Sequence, residues 1–451
     1  MPKPVLNSRH RARWALALSA LLAGCGGGDG GSEVPPPDAC TVAAQKGWLG
    51  NYMDDWYFWY ALAPRPDPAP YASVADYFDA RLYTGTAPDF PADRWSSYES
   101  TESFNRFFGD GQALGYGVAV AGLEIAGQPE LPLFVRYVEA NSPAARAGVR
   151  RGDQVISVNG RSAADMVGAN DFSALSASAA GQALVLTLRR SGADQVLDLR
   201  AATYALTPVP TGTVLTSAGG RRLGYLIVKD MISQALAPLE TAFARFRAAG
   251  VEAVVLDLRY NGGGLVSVAG TLASYVAGGR GSNRVFATLL FNDRQAGTSN
   301  SQFNFSGLAS ALGASRVYVL TGPRTCSASE QVINGLRGVG IDVVAIGDTT
   351  CGKPVGFQPA SQCGTTYSVV NFESVNERFE GRYFDGFAPT CAVADDLSRA
   401  LGAPDEALLS AAASFADNGV CPAPASGASS RTLRRQSPRA EAGERQDMLA
   451  R

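Results

Sequence analysis

The sequence predicts an α/β protein: a mostly parallel sheet forms the core, with an inserted or preceding β-rich domain and a small N-terminal helical domain. Three observations predict it. Across 204–421, short continuous apolar runs alternate with amphipathic helical stretches, the pattern of strands buried under helices on both faces. Across 109–203 the texture is β-rich and punctuated by glycine, and across 40–108 aromatic residues recur at helical spacing. The chain has 451 residues, 46% hydrophobic and 18% charged, enough for several domains with real cores.

Composition excludes several chemistries. Net charge is −2, so no basic excess points to nucleic acid. His10 is the only histidine, and a body without it has no Ser-His-Asp triad, no Cys-His pair and no His-ligated zinc. Nucleophilic chemistry here needs another base.

Residues 1–24 read as a secretory leader: Lys3, Arg9, Arg11 and Arg13 precede the apolar run 14–23, too short to span a bilayer. The run ends Leu22-Ala23-Gly24-Cys25, which resembles the bacterial lipobox, with Cys25 as the lipidated first residue of the mature chain. Gly26, rather than an aspartate, points to the outer membrane. Cleavage removes four positive charges and takes the net charge from −2 to −6. The expected address is the cell envelope, with the body facing the periplasm. The other six cysteines suit an oxidising compartment.

Residues 25–39 are rich in glycine and proline and read as a tether. In 40–108, Trp48, Tyr52, Trp56 and Trp59 share a helical stripe, read as core packing. Prolines at 64, 66, 68 and 70 then break the helix, and the pattern resumes over 74–82. In 109–203, Ala113-Leu114-Gly115-Tyr116 precedes an alternating run, then Ser142-Pro143-Ala144-Ala145 opens a short helix, and Arg151-Gly152-Asp153 leads into a strand. Together these look like a PDZ domain. By that likeness Leu114, Gly115 and Tyr116 form the loop whose backbone N–H groups hold a terminal carboxylate while a peptide adds to the sheet edge.

In 204–421, strands are expected at 223–228, 251–256, 317–320 and 343–346. Leu236, Leu239, Phe243 and Phe246 mark one face of a helix closed by Gly250. The tail 422–451 is rich in Arg, Ser and Pro without apolar periodicity and reads as disordered.

Three segments fall at carboxyl ends of strands, where α/β sheets gather their chemistry. The run from Asp257 to Gly264 is glycine-rich before an apolar helix, a place for an anion or oxyanion. Thr325-Cys326-Ser327-Ala328-Ser329-Glu330 puts serines at a strand-to-helix turn, where one can react and one can cap, with Glu330 as first-turn acid. Gly347-Asp348-Thr349-Thr350-Cys351-Gly352-Lys353-Pro354 is a near miss to a P-loop, because Pro354 stands where Ser or Thr must meet magnesium. Lysine is scarce, with only Lys3, Lys46, Lys229 and Lys353. A desolvated lysine amine can activate a serine without histidine.

These three motifs in this order, behind a PDZ-like domain, resemble the carboxyl-terminal processing peptidases, also called tail-specific proteases. Trp56-Tyr57-Phe58-Trp59 and Asp93-Arg94-Trp95 resemble the N-terminal domain of lipoprotein members. The resemblance implies Ser327 as nucleophile, Lys353 as general base, Gly263 and Ala328 at the oxyanion hole, and Gln358 orienting the lysine. Both the Ser-to-Lys and the Lys-to-Gln spacing are one residue longer than in the best-known members. It further implies a serine endopeptidase acting near protein carboxyl termini, with protein or peptide substrates and no metal or organic cofactor. The alternative is a non-catalytic envelope adaptor that binds carboxyl termini through the PDZ domain. Cysteine placement suggests a Cys326–Cys351 bridge, with Cys363–Cys391 and Cys40–Cys421 as companions.

Overall fold

The computed structural model describes residues 37–120, 132–169, 171–423, 445 and 447–450. The leader 1–24, Cys25 and most of the 25–39 tether lie outside the described residues.

The core sheet runs Thr211–Thr216, Arg222–Ile227, Ala253–Asp257, Arg316–Thr321, Asp342–Gly347 and Cys391–Ala392. Its first pair is antiparallel and every later pair parallel, as the alternating strand–helix texture predicts. Strand alternation sends Leu226, Val254, Leu256, Val317 and Val319 to one face, under helices Leu236–Ala248, Val266–Ala277 and Ala328–Gly338. Tyr225, Val255, Tyr318, Leu320 and Val344 go to the other, under helix Ala407–Asn418. Leu236, placed by spacing on the buried face of its helix, is 40% exposed because it opens the first turn.

A second six-stranded sheet, of mixed direction, closes the site: Gly264–Leu265, Met448–Leu449, Val355–Phe357, Val370–Val375, Val285–Phe291 and Ser301–Asn304. Its second member corrects the reading of 422–451 as wholly disordered. Met448 and Leu449 are fully buried between two strands, a pairing that no local periodicity announces. Residues 424–444 lie outside the described residues.

The N-terminal region is less separate than its composition suggests. Helix Val42–Trp56 opens with Thr41 capping Ala44 N–H, and Leu49, Met53, Tyr57 and Trp59 join the same apolar cluster as the helices on the core sheet. The helix ends at Trp56, so Trp59 packs from the following turn, against Tyr83 and Trp95. The region also supplies a strand, Ser97–Ser100, paired with Thr365–Ser368.

Strands Val118–Val120, Leu133–Val138, Gln154–Val158, Ala183–Arg190 and Ala193–Arg200 build a separate sheet around its own core of Val135, Val155, Met166, Leu184, Leu186 and Leu188. Entry and exit are joined, because Gln112–Gly115 pairs antiparallel with Ala202–Ala205.

Cysteine pairing is Cys326–Cys351, Cys40–Cys363 and Cys391–Cys421. The first agrees with expectation; the other two correct it. Cys363 sits at the turn of a hairpin that packs beside the start of the N-terminal helix, near Cys40. Cys391 lies on the edge strand and Cys421 just past helix Ala407–Asn418, which covers that sheet. Tertiary neighbours chose these partners.

Candidate active site

Ser327 ends the turn after strand Arg316–Thr321 and starts helix Ala328–Gly338. Its φ of 60° is left-handed, a conformation that costs a non-glycine residue about 1–3 kcal/mol and is retained where surrounding bonds over-determine it. Those bonds are present. Cys326 N–H donates to the Asn261 carbonyl (3.0 Å), Thr325 Oγ1 to the Leu258 carbonyl (2.8 Å) and Ser327 N–H to Glu330 Oε2 (2.9 Å). Ser329 Oγ is tied to the Asn261 carbonyl at 3.0 Å, whereas Ser327 Oγ, at the N-cap of its helix and facing the Glu330 N–H, is buried and makes no hydrogen bond of good geometry among the described residues. Of the two candidate serines, Ser327 is the one left available.

Lys353 follows the turn after strand Asp342–Gly347 and is 1% exposed. Its Nζ lies 3.9 Å from the Phe357 ring centroid. Burial pushes the lysine down to about 8, against the opposing pull of Asp447, Asp93 and Glu330. Asp93 is held by Tyr57 Oη and by the Trp95 and Ser96 N–H groups, so the N-terminal region sets part of the field at this amine.

Glu330 joins the two turns. Its carboxylate accepts from Ser327 N–H, Gly352 N–H (2.8 Å), Lys353 N–H (2.8 Å) and Thr350 Oγ1 (2.5 Å). Burial pushes this carboxyl up, while the four donors favour its ionised form. The sequence marked Glu330 only as a first-turn acid; its second role depends on a turn that approaches only in the fold. The Cys326–Cys351 bond crosses the same gap, with Cα atoms 5.1 Å apart. Cys326, Glu330 and Cys351 cluster closely, but two sulfurs bonded to each other offer no thiolate to a metal.

Gly263 lies against the serine. A Cβ there would stand 2.9 Å from Ala328 N and 3.0 Å from Ser327 Cβ, and its φ of 110° also requires glycine. Its own N–H, however, donates to Asn261 Oδ1 (2.7 Å), while Gly264 N–H donates to the Asp447 carbonyl. The expected oxyanion pair is therefore corrected in part: Ala328 N–H is adjacent, and the loop's engaged donor is Gly264, because the buried Asn261 side chain claims Gly263. Asn261 escaped sequence reading, since one asparagine in a glycine-rich turn carries no distinguishing pattern.

Gln358, expected beside the lysine, lies at the surface while Lys353 is buried. The Gln358 backbone bonds Asn371 Oδ1 and Tyr52 Oη. A register shift at Gly356/Phe357 in its strand alters the facing there, which spacing alone does not reveal. Leu114 and Gly115 are strand residues paired with Thr203 and Ala202 rather than a free loop, and Tyr116 is core, its carbonyl accepting from Ala144 N–H. Val118–Val120 is nevertheless an edge strand of its sheet.

Behind the 257–264 loop, Arg259 is buried against Asp257, Glu406 (2.7 Å) and Asp395 (2.9 Å). Arg151 of the PDZ domain reaches the same Asp395 (2.7 Å) and Tyr260 Oη.

The sequence pattern of peptidase family S41 matches residues 222–376, the stretch that holds this serine, glutamate and lysine. The S41 N-terminal domain matches 44–97 and a PDZ domain 134–190, in the same order. The region 222–376 of this chain is of peptidase family S41. Among S41 relatives, a carboxyl-terminal-processing protease of Picosynechococcus is 23% identical over 257 residues, 56% of this chain and 59% of that protein. The carboxy-terminal processing protease CtpA of Bacillus subtilis is 27% identical over 220 residues, 47% of this chain and 42% of that one. The chain thus spans about half the length of these curated relatives. An S41 protease from Bacteroides fragilis shares the fold at TM-score 0.64 and 24% identity, over 83% of this chain and 97% of the other. The photosystem II D1 C-terminal processing protease does so at 0.51 and 21%, over 78% and 93%.

Proposed function

We propose that this S41 protein is a serine endopeptidase of the bacterial cell envelope that cleaves proteins near their carboxyl termini. One observation carries the reading: a strained, buried serine whose Oγ makes no hydrogen bond of good geometry and a buried lysine with a lowered pKa hang from one carboxylate. In this reading the neutral Lys353 amine takes the Ser327 Oγ proton as Oγ bonds to the scissile carbonyl carbon. The resulting ammonium gives its proton to the leaving amine as the C–N bond breaks. Water then hydrolyses the acyl-serine, with Lys353 again the base. Backbone N–H groups of Ala328 and Gly264 would face the developing oxyanion. The PDZ domain supports a role in presenting peptides, through its edge strand Val118–Val120. Lipid on Cys25 would supply the membrane attachment; among the described residues no helix is long and apolar enough to cross a membrane.

The test is acylation by a fluorophosphonate and turnover of a fluorogenic peptide, in the intact chain and in Ser327→Ala. Labelling and turnover that both vanish in the variant support the reading. A chain that binds peptides but neither labels nor cleaves, also after removal of its C-terminal residues 445–451, would be an adaptor instead.

A further inference from the structure

The cleft already contains a peptide strand, and it belongs to the chain itself. Residues 447–450 lie between Gly264–Leu265 and Val355–Phe357, parallel to both, with Met448 opposite Gly264 and Leu449 opposite Leu265 and Phe357. Asp447 N–H donates to the Gly262 carbonyl (3.0 Å), Gly264 N–H to the Asp447 carbonyl (2.5 Å) and Ala450 N–H to the Phe357 carbonyl (3.1 Å). Two glycines leave room for this backbone. A Cβ on Gly263 would meet the Asp447 carbonyl oxygen at 2.1 Å, and one on Gly356 the Met448 carbonyl oxygen at 2.6 Å. The Gly263 position also borders Ser327 Cβ at 3.0 Å, so the strand passes beside the proposed nucleophile.

Side chains fix the register. Met448 and Leu449 are fully buried in the apolar cluster, and the Asp447 carboxylate is buried with Oδ2 lacking a hydrogen bond. Outside the groove Arg445 makes paired bonds to Glu99 (2.5 Å each) and stacks over Phe107 at 4.4 Å. Burial raises the Asp447 carboxyl, against the pull of Arg445 and Lys353. In its ionised form it holds the proton on Lys353, the protonation state in which that amine cannot act as a base.

We propose that 447–450, anchored by Arg445, is a resident ligand of the peptide groove that masks Ser327 and must withdraw before a substrate enters. The inference rests on the Ser327/Lys353 reading and deepens it. The groove takes an extended strand that carries an acidic residue beside the lysine and two large apolar residues after it, and it takes that strand by main-chain addition.

Hydrogen exchange on the full chain tests occupancy. Amides of Asp447 and Ala450 should exchange at least 100-fold more slowly than in the free peptide; exchange at the free-peptide rate overturns the proposal. Deleting 445–451 should raise fluorophosphonate acylation of Ser327 at least tenfold, and the peptide Arg-Gln-Asp-Met-Leu-Ala, added in trans, should reverse the gain. A folded deletion variant with the acylation rate of the full chain overturns the proposal. Met448→Asp in the full chain repeats the test if the deletion does not fold, with the same tenfold gain expected and an unchanged rate again overturning it. Binding of the labelled peptide to the deletion variant carrying Ser327→Ala separates the two readings. Binding without any turnover by the serine form leaves the groove assignment standing and sinks the peptidase; turnover without binding does the reverse.

Discussion

Ser327 and Lys353 donate their backbone N–H groups to the same oxygen, Oε2 of Glu330, at 2.9 and 2.8 Å. The proposed nucleophile and base are thus located by a third residue that belongs to the helix between them.

Glu330→Gln should therefore reduce both stability and acylation. One oxygen becomes an amide nitrogen, and at least one buried donor among Ser327, Thr350, Gly352 and Lys353 loses its acceptor, at about 1–3 kcal/mol. Urea denaturation measures the first effect. A loss of turnover of at least tenfold with a displaced pH profile marks positioning of the dyad, whereas a purely structural glutamate would leave the profile of the folded fraction in place.

Lys353→Arg should be as inactive as Lys353→Ala, because a guanidinium is not deprotonated in a protein. In the proposed mechanism the base is the neutral amine, so kcat/KM should rise with pH through about 8, the value to which burial lowers this lysine. Stability should move the same way. The unfolded chain holds the proton up to ~10.4, so it binds more protons than the native state between about 8 and that value, and folding gains as pH rises through the window. A pH–rate profile falling across this range would remove Lys353 as base.

Replacing Cys326 and Cys351 together by alanine should cost about 3.5 kcal/mol, the chain-entropy value for a closed loop of this length, with a separation of 25 residues. The Glu330 bonds remain, so acylation should fall without vanishing. A midpoint unchanged in urea would mean that the turn bonds alone hold the two segments.

Arg151→Ala should weaken turnover of small esters as well as peptides by several-fold, because Arg151 touches Asp395 and Tyr260 at the back of the 257–264 loop. Loss confined to protein substrates would restrict the PDZ domain to presentation.

Much was legible in the residues themselves. Continuous apolar runs such as 253–256 and 317–320, short and followed by glycine-rich or turn residues, read as strands covered on both faces, and the serine, glycine-rich and lysine turns sit at their ends because strand–helix units place turns there. With His10, inside the leader-like start, the sole histidine, lysine was left as the base to consider for a serine nucleophile. Hydrophobic period and turn chemistry are local, so one sequence suffices to read them. What required the tertiary structure is everything decided by groups distant in sequence. Burial, rather than any neighbour in the motif, lowers Lys353. The Asn261 side chain captures Gly263 N–H, a register shift accompanies the exposure of Gln358, and Cys40 finds Cys363 at a separation of 323 residues. Met448 and Leu449 become a strand only because Gly263 and Gly356 leave a slot of backbone width between two others. An isolated pair of apolar residues in a polar tail has no period to detect, and its conformation is set by the unpaired strand edges that it meets.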